Sequence, residues 1–490
     1  MTQPVATAGG EQLLSLHSLI PSPEAIGCLP EAAARRLQVV PLALQCIEDR
    51  QCLVIACGDP TDQVKMDRLR RQLSPSIGLS PVRAEAAEVH EALEKCYRST
   101  GSVQDDLQQC TSRSTTESLM AKRADFVVCL FEWLLRVASR LRASDLHLSP
   151  ELHNLHIRCR VDGVLRTIAR PHHSLHSALL VRLKILASMD IAESRRPQDG
   201  QFSVLIDARS IDVRVSCFPT TSGQNTVLRL LDPSRRLNTL ASLGTPAPVQ
   251  DKLAKLLHRP DGLLVICGPT GSGKSTTLHA LLRERDAGTL NIMTLEDPVE
   301  QSVDGIRQTS IDAEHGLSYA AGVRALLRQD PDVLLIGEIR DSPSCAMALR
   351  AVMSGHQVLT TLHARSALAG LSRLHEFGAM PGLLAENLTG IASQRLLRTR
   401  CQACINNQAH CEVCLDSGYQ GRQMIIELLV MTPALVALVR AGASERDLRI
   451  CAREGGFTDL REQAMRLVEQ GLSTQAELER VLGRCAAQPN

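Results

Sequence analysis

The sequence predicts an α/β fold in which a P-loop core, a parallel sheet with covering helices, follows a small α+β domain and a separate N-terminal domain. Three observations carry this. From about residue 241 to the end, apolar strand-like runs alternate with helical patterns. The run Leu263–Cys267 passes through a glycine-rich loop straight into a helical pattern at Thr276–Arg285. Upstream, two stretches of mixed helical and strand character are separated by Thr100–Glu117, a polar segment with few apolar residues.

The elements follow in order. Residues 1–100 hold a helix at Pro30–Leu37, a short strand at Cys52–Cys57 closed by the turn Gly58-Asp59-Pro60, and an amphipathic helix at Ala84–Tyr97. Residues 101–118 read as a linker. Residues 119–240 open with Phe126–Leu141, whose apolar residues Phe126, Leu130, Trp133, Val137 and Leu141 recur at helical spacing. Strand-like pieces follow at His153–Arg160, Phe202–Asp207, Ile211–Cys217 and Thr226–Leu231. Residues 241–490 form the sheet-and-helix core, and no internal repeat is evident.

Composition narrows the function. A chain of 490 residues, 44% hydrophobic and 22% charged, has material for about three ordinary domains. Its formal net charge is +1 and its aromatic content 2%, with Trp133 the sole tryptophan. There is no global basic field, though room for a local basic patch, and few aromatics for stacking platforms, which argues against a nucleic-acid binder. Glu132 and Arg136 break the longest apolar stretch, well short of the roughly 18 residues a spanning helix needs. The first residues lack the pattern of a secretory signal, so any membrane association is expected to go through a partner or a surface. Most of the 17 cysteines, such as Cys52, Cys57, Cys217 and Cys267, sit singly in apolar runs and read as small buried hydrophobes.

Gly268-Pro269-Thr270-Gly271-Ser272-Gly273-Lys274-Ser275 has the Walker A spacing between a strand and a helix. Glycines let successive N–H groups turn inward around phosphate oxygens, and the following helix, from Thr276, adds a favourable dipole. Lys274 is expected to reach the β and γ phosphates of ATP, and the Ser275 hydroxyl to ligate Mg²⁺. Such a site needs acids on neighbouring strands. Asn291–Glu300 offers Glu296 and Asp297, and Asp332–Asp341 offers Glu338, with Gly337 where many P-loop proteins carry aspartate. Glu338 is then the expected polariser of the attacking water; the plainer alternative is an acid capping the next helix.

At these residues the chain resembles the secretion ATPases of type II secretion and type IV pilus assembly. Thr294–Glu300 looks like the family's Asp box, Leu327–Asp341 like its Walker B region, and Gly355–Ala367, centred on Thr360-Thr361-Leu362-His363, like its His box. Ala143–Leu148, Arg158–Leu165, Pro197–Gly200 and Asp212–Ser216 resemble its smaller domain, and Val40–Leu42 and Asp59–Asp62 its N-terminal piece. The resemblance spans about residues 28–435.

The resemblance implies a RecA-like core, a homohexameric ring, and ATP bound between the small domain and the core with help from a neighbouring subunit. It implies nucleotide roles for Arg214 and Arg229 in the small domain and for Arg324, Arg328 and Arg340 in the core, and a catalytic role for His363 beside Glu338, Glu296 and Lys274. It implies work on the cytoplasmic side of the inner membrane, with the N-terminal domain docking to a membrane partner and the ring driving an inner-membrane platform. Three places depart from the family: Ala364-Arg365 after the His-box histidine, Gly223-Gln224-Asn225, and Gln201 after Pro-Gln-Asp-Gly. A nucleic-acid-translocating ATPase and an ATP-binding ring component with negligible turnover are the rivals.

Cys401-x-x-Cys404 and Cys411-x-x-Cys414 form two pairs at a spacing suited to tetrahedral Zn²⁺. The family's assembly motors carry such a tetracysteine site, although with a longer loop than Ile405–His410. His410 is a substitute ligand within that loop.

Overall fold

A computed structural model describes residues 14, 16, 19–29, 31–47, 50–73, 77–96, 107–122, 125–206, 209–232, 239–300, 302–312, 316–404, 411, 414 and 416–484. The chain divides into two units, residues 1–235 and 236–490.

The first unit holds two sheets. The smaller has three strands in the order Val39–Ile47, Arg50–Cys57, Gly78–Arg83, antiparallel and then parallel. The expected strand at Cys52–Cys57 lies at its centre, where Leu53–Cys57 are fully buried. Helices Glu31–Leu37 and Ala86–Cys96 form as the apolar spacing predicts. Asp62 starts a further helix, Gln63–Arg70, by accepting the Lys65 N–H at 3.0 Å. The expected linker is helical over its last residues: Arg113–Lys122 is a helix, with an Arg113–Glu117 pair one turn apart and Thr116 buried. Residues 101–106 lie outside the described residues.

The larger sheet of this unit runs Leu19–Ile20, Gln198–Ile206, Arg209–Thr220, Gly223–Leu231, Asp145–Pro150, Leu155–Val161, Val164–Ala169. All neighbours are antiparallel except the first pair, which ties the N-terminal segment to this sheet. The helix Phe126–Arg140 buries Phe126, Leu130, Phe131, Leu134 and Leu135 in one core with Leu146, Leu148, Val213 and Val215. The strands alternate, so the opposite face is left to Asp145, His147, Arg158, Arg214 and Arg229.

The second unit is built on a seven-stranded sheet ordered Arg307–Ser310, Ile292–Glu296, Val333–Ile336, Gln357–Leu362, Gly262–Cys267, Leu388–Arg400, Tyr419–Val430. It is parallel up to the final antiparallel pair. The central strands are buried on both faces, as continuous apolar runs require, and helices cover them. Four helices end the described chain, and each begins with a side-chain cap from Thr432, Ser444, Asp459 or Thr474. No described helix is long and apolar enough to cross a membrane.

Candidate nucleotide site and thiol cluster

The carboxyl ends of four adjacent parallel strands carry the predicted groups, the position where open α/β sheets bind ligands. Gly262–Cys267 leads into the phosphate loop, and Lys274–Arg283 is the helix after it. Gly271 and Gly273 have φ of +76° and +89°, values an L side chain resists, so the loop needs glycine there. Lys274 Nζ donates across the loop to the carbonyls of Gly268 (2.9 Å) and Pro269 (3.2 Å). Burial lowers the Lys274 pKa, and Glu338 acts in the opposite sense. Thr270, Ser275 and Thr276 are exposed around the loop, and the Ser272 hydroxyl is buried with no partner among the described residues.

Next to this strand, Gln357–Leu362 delivers His363; beyond it, Val333–Ile336 delivers Glu338. The mostly buried Glu338 carboxylate is held from both sides, by His363 Nε2 at 3.0 Å and Arg340 Nε at 3.0 Å. Arg340 also reaches Asp297 at 3.1 Å and lies over the Tyr319 ring. The arginine therefore joins the two acidic segments. Burial and the Asp297 charge push the Tyr319 hydroxyl up to about 12, Arg340 opposing them.

Glu296 has a different setting. Its buried carboxylate accepts from His279 (3.0 Å), Thr294 (2.6 Å) and Gln308 (3.0 Å). Burial alone would raise its pKa, but these three donors outweigh burial and leave it below the usual value. It is an anchored carboxylate, tied to the phosphate-loop helix through His279. Gly337 is dictated by a close approach: a Cβ there would lie 2.8 Å from the Tyr319 hydroxyl and 3.1 Å from the Leu295 carbonyl. Arg324 and Arg328 are exposed and form no ion pair among the described residues; Arg328 donates to the Arg324 carbonyl.

In the first unit, Arg214 and Arg229 stand opposite each other on neighbouring strands and line a cleft of about 630 Å³ with Asp145, Asp199, Gln201 and Ser216. Arg229 is steered by Asp145 (3.2 Å), which also receives Arg160 at 3.6 Å. Gln224, one of the departures, is buried with both amide atoms unpartnered among the described residues.

The four cysteine sulfurs lie within 4.8 Å of one another at the end of the Leu388–Arg400/Tyr419–Val430 hairpin. Cys401–Cys411 is 3.9 Å and Cys404–Cys414 3.2 Å. A tetrahedron with metal–sulfur bonds of about 2.3 Å has sulfurs about 3.8 Å apart, so the cage fits Zn²⁺. His410 and its loop lie outside the described residues. By contrast Cys57, Cys217 and Cys267 are fully buried apolar neighbours, and burial pushes the Cys267 thiol up to about 12; Cys52 is half-buried.

Sequence reading passed over Tyr319, His279, Gln308, Gln394 and Arg395. The last two carried a signal, since the polar triplet Ser393-Gln394-Arg395 interrupts the mostly apolar run Leu388–Leu397.

The family described as Type II/IV secretion system protein matches residues 120–480, and the MshEN domain matches residues 10–103. Type II secretion system protein HxcR of Pseudomonas aeruginosa is 39% identical over 84% of this chain and 91% of its own length. The type IV pilus assembly ATPase PilB of Myxococcus xanthus is 34% identical over 97% of this chain and 89% of its own. Among solved structures, the Yersinia pseudotuberculosis ATPase DotB superposes with a TM-score of 0.58 at 23% identity, over 74% of this chain and 93% of that one.

Proposed function

The chain belongs to the Type II/IV secretion system protein family, and from that premise we propose that it is an ATPase motor powering type II secretion or type IV pilus assembly. The observation that carries this is Glu338, held between His363 and Arg340 at the carboxyl end of a strand one removed from the phosphate-loop strand. Relatives named for both systems align over more than four-fifths of the chain.

In this reading the loop Gly268–Ser275 cradles the β and γ phosphates, with Thr276 in the first turn of the helix and Lys274 on the γ phosphate. Water attacks the γ phosphorus; the new P–O bond forms as the bond to ADP breaks, and Glu338 takes the water's proton. Arg340 and His363 fix the rotamer of that carboxylate. Ser275 would hold Mg²⁺, whose charge offsets that of the phosphates. Glu296, kept ionised by its donors, is assigned to the same acidic rim. Arg214, Arg229, Arg324 and Arg328 are assigned to the nucleotide's phosphates. The four cysteines would hold Zn²⁺ as a structural clasp of the hairpin.

The working form is a homohexamer on the cytoplasmic face of the inner membrane, recruited through residues 1–100. The test is phosphate release by the purified chain and its Glu338→Gln variant across protein concentration. Activity per chain that rises with concentration and disappears in the variant supports the motor. ATP binding without turnover in the parent, with its partners' membranes added, rules it out.

A further inference from the structure

The strand Leu388–Arg400 runs parallel to the phosphate-loop strand, with Ser393 level with Cys267. Gln394, the next residue, therefore comes level with the start of the loop. It is wholly buried, an uncommon place for an amide. Its Nε2 donates to the Ser272 carbonyl at 2.7 Å. A Cβ at Gly273 would meet that nitrogen at 3.2 Å, and one at Gly268 would meet the Gln394 carbonyl at 2.9 Å. Both ends of the loop thus close on one residue. Arg395 extends the contact, donating to the Gln394 carbonyl and to the Arg365 carbonyl, each at 2.8 Å, just past His363.

We propose that Gln394 is a positioning residue for ATP, orienting the phosphate loop's peptide planes. In a trans peptide unit the C=O and the following N–H point in opposite directions. Holding the Ser272 carbonyl toward Gln394 turns the Gly273 N–H the other way, toward the concave side where phosphate oxygens bind. Without the amide the carbonyl is buried and unpaired, and the peptide is free to rotate because Gly273 offers little resistance. The loop would then meet the triphosphate with fewer aligned donors. Gln394 touches no reacting atom; it acts through the loop. The proposal rests on the ATPase reading.

The full-length parent is compared with Gln394→Met, which has similar length and no donor, and Gln394→Asn, whose amide falls one methylene short. Steady-state KM for ATP, kcat, and melting temperature with and without Mg·ATP are measured. Gln394→Met is expected to raise KM about tenfold and change kcat by less than about threefold, the loss of one buried hydrogen bond to the bound state. Gln394→Asn should fall between it and the parent. A smaller melting shift on adding Mg·ATP than the parent shows, over and above any fall in the nucleotide-free melting temperature from the unpaired carbonyl, supports positioning. An unchanged KM in folded Gln394→Met overturns the proposal, as does a lost kcat at constant KM. If the Met variant does not fold, the Asn variant decides by the same two readings. A parent that shows no melting shift with Mg·ATP removes the ATPase reading and this proposal with it. A shifted parent matched by both variants removes this proposal alone.

Discussion

Glu338 Oε1 and His363 Nε2 lie 3.0 Å apart at the ends of adjacent parallel strands, while Arg340 occupies the other carboxylate oxygen. Removing the charge should therefore affect turnover rather than nucleotide capture. Glu338→Gln is expected to lower kcat about 100-fold or more, with ATP affinity within about threefold of the parent. His363→Ala frees one oxygen without removing the base, so a smaller loss of about tenfold is expected. Phosphate-release kinetics and nucleotide titration separate the two effects. Equal losses of binding and turnover in Glu338→Gln would disprove the assigned role.

Gly337 packs against Tyr319 and the Leu295 carbonyl. Gly337→Ala should lower stability by about 1–3 kcal/mol through overpacking. Because part of the clash is the Tyr319 hydroxyl, Tyr319→Phe in the same chain should recover some of it. Denaturant unfolding of the single and double variants measures this; strict additivity would refute the contact.

Arg229 is aimed by Asp145 and lines the cleft with Arg214. If both meet the triphosphate, Arg214→Ala and Arg229→Ala should each lower kcat/KM by about 100-fold or more, whereas surface arginines change little. Unaltered kinetics in both would leave these arginines with a merely structural role.

The thiol cage predicts one zinc per chain by elemental analysis. Stripping it, or substituting Cys404→Ser, should lower the melting temperature and expose reactive thiols at the hairpin end, since metal binding and local folding are linked. Four titratable thiols and no metal in freshly purified protein would contradict zinc.

Glu477 is fully buried and receives Arg398 and Arg480. Burial alone would raise its pKa, but the hydrogen bonds from Arg480 and Arg398 prevail and lower it from 4.5 to about 2. A depressed folded pKa means stability present above the unfolded value and lost as pH falls toward the folded one. Glu477→Gln should thus cost about 3 kcal/mol at pH 7. The gap between parent and variant should narrow as pH drops from about 4.5 to about 2. A gap independent of pH would show that the carboxylate charge is not what holds the C-terminal helix to the hairpin.

Much of the site was legible because its chemistry is local. The phosphate loop is a contiguous stretch whose glycines, lysine and flanking strand and helix are set by short-range backbone preference, and the two cysteine pairs are likewise a matter of spacing. Strand runs such as Leu263–Cys267 were visible because burial on both faces demands continuous apolar residues. The stretch expected as a linker, residues 101–118, is helical from Arg113, where the Ser112 hydroxyl accepts the Thr115 N–H and an Arg113–Glu117 pair spans one turn, so a mostly polar segment forms a helix without a broad apolar stripe to announce it.

What sequence could not decide is which distant residues share a point in space. Nothing in the spacing of Glu296 and Glu338 says that one is tied by His279, Thr294 and Gln308 while the other is held between His363 and Arg340. Nor does it say that Gln394 supports Ser272 from 122 residues away. Those assignments follow from strand order, which brings four carboxyl ends side by side. That order is a property of the packed sheet, whose pairings are chosen by burial and hydrogen bonding of the whole core rather than by any one segment.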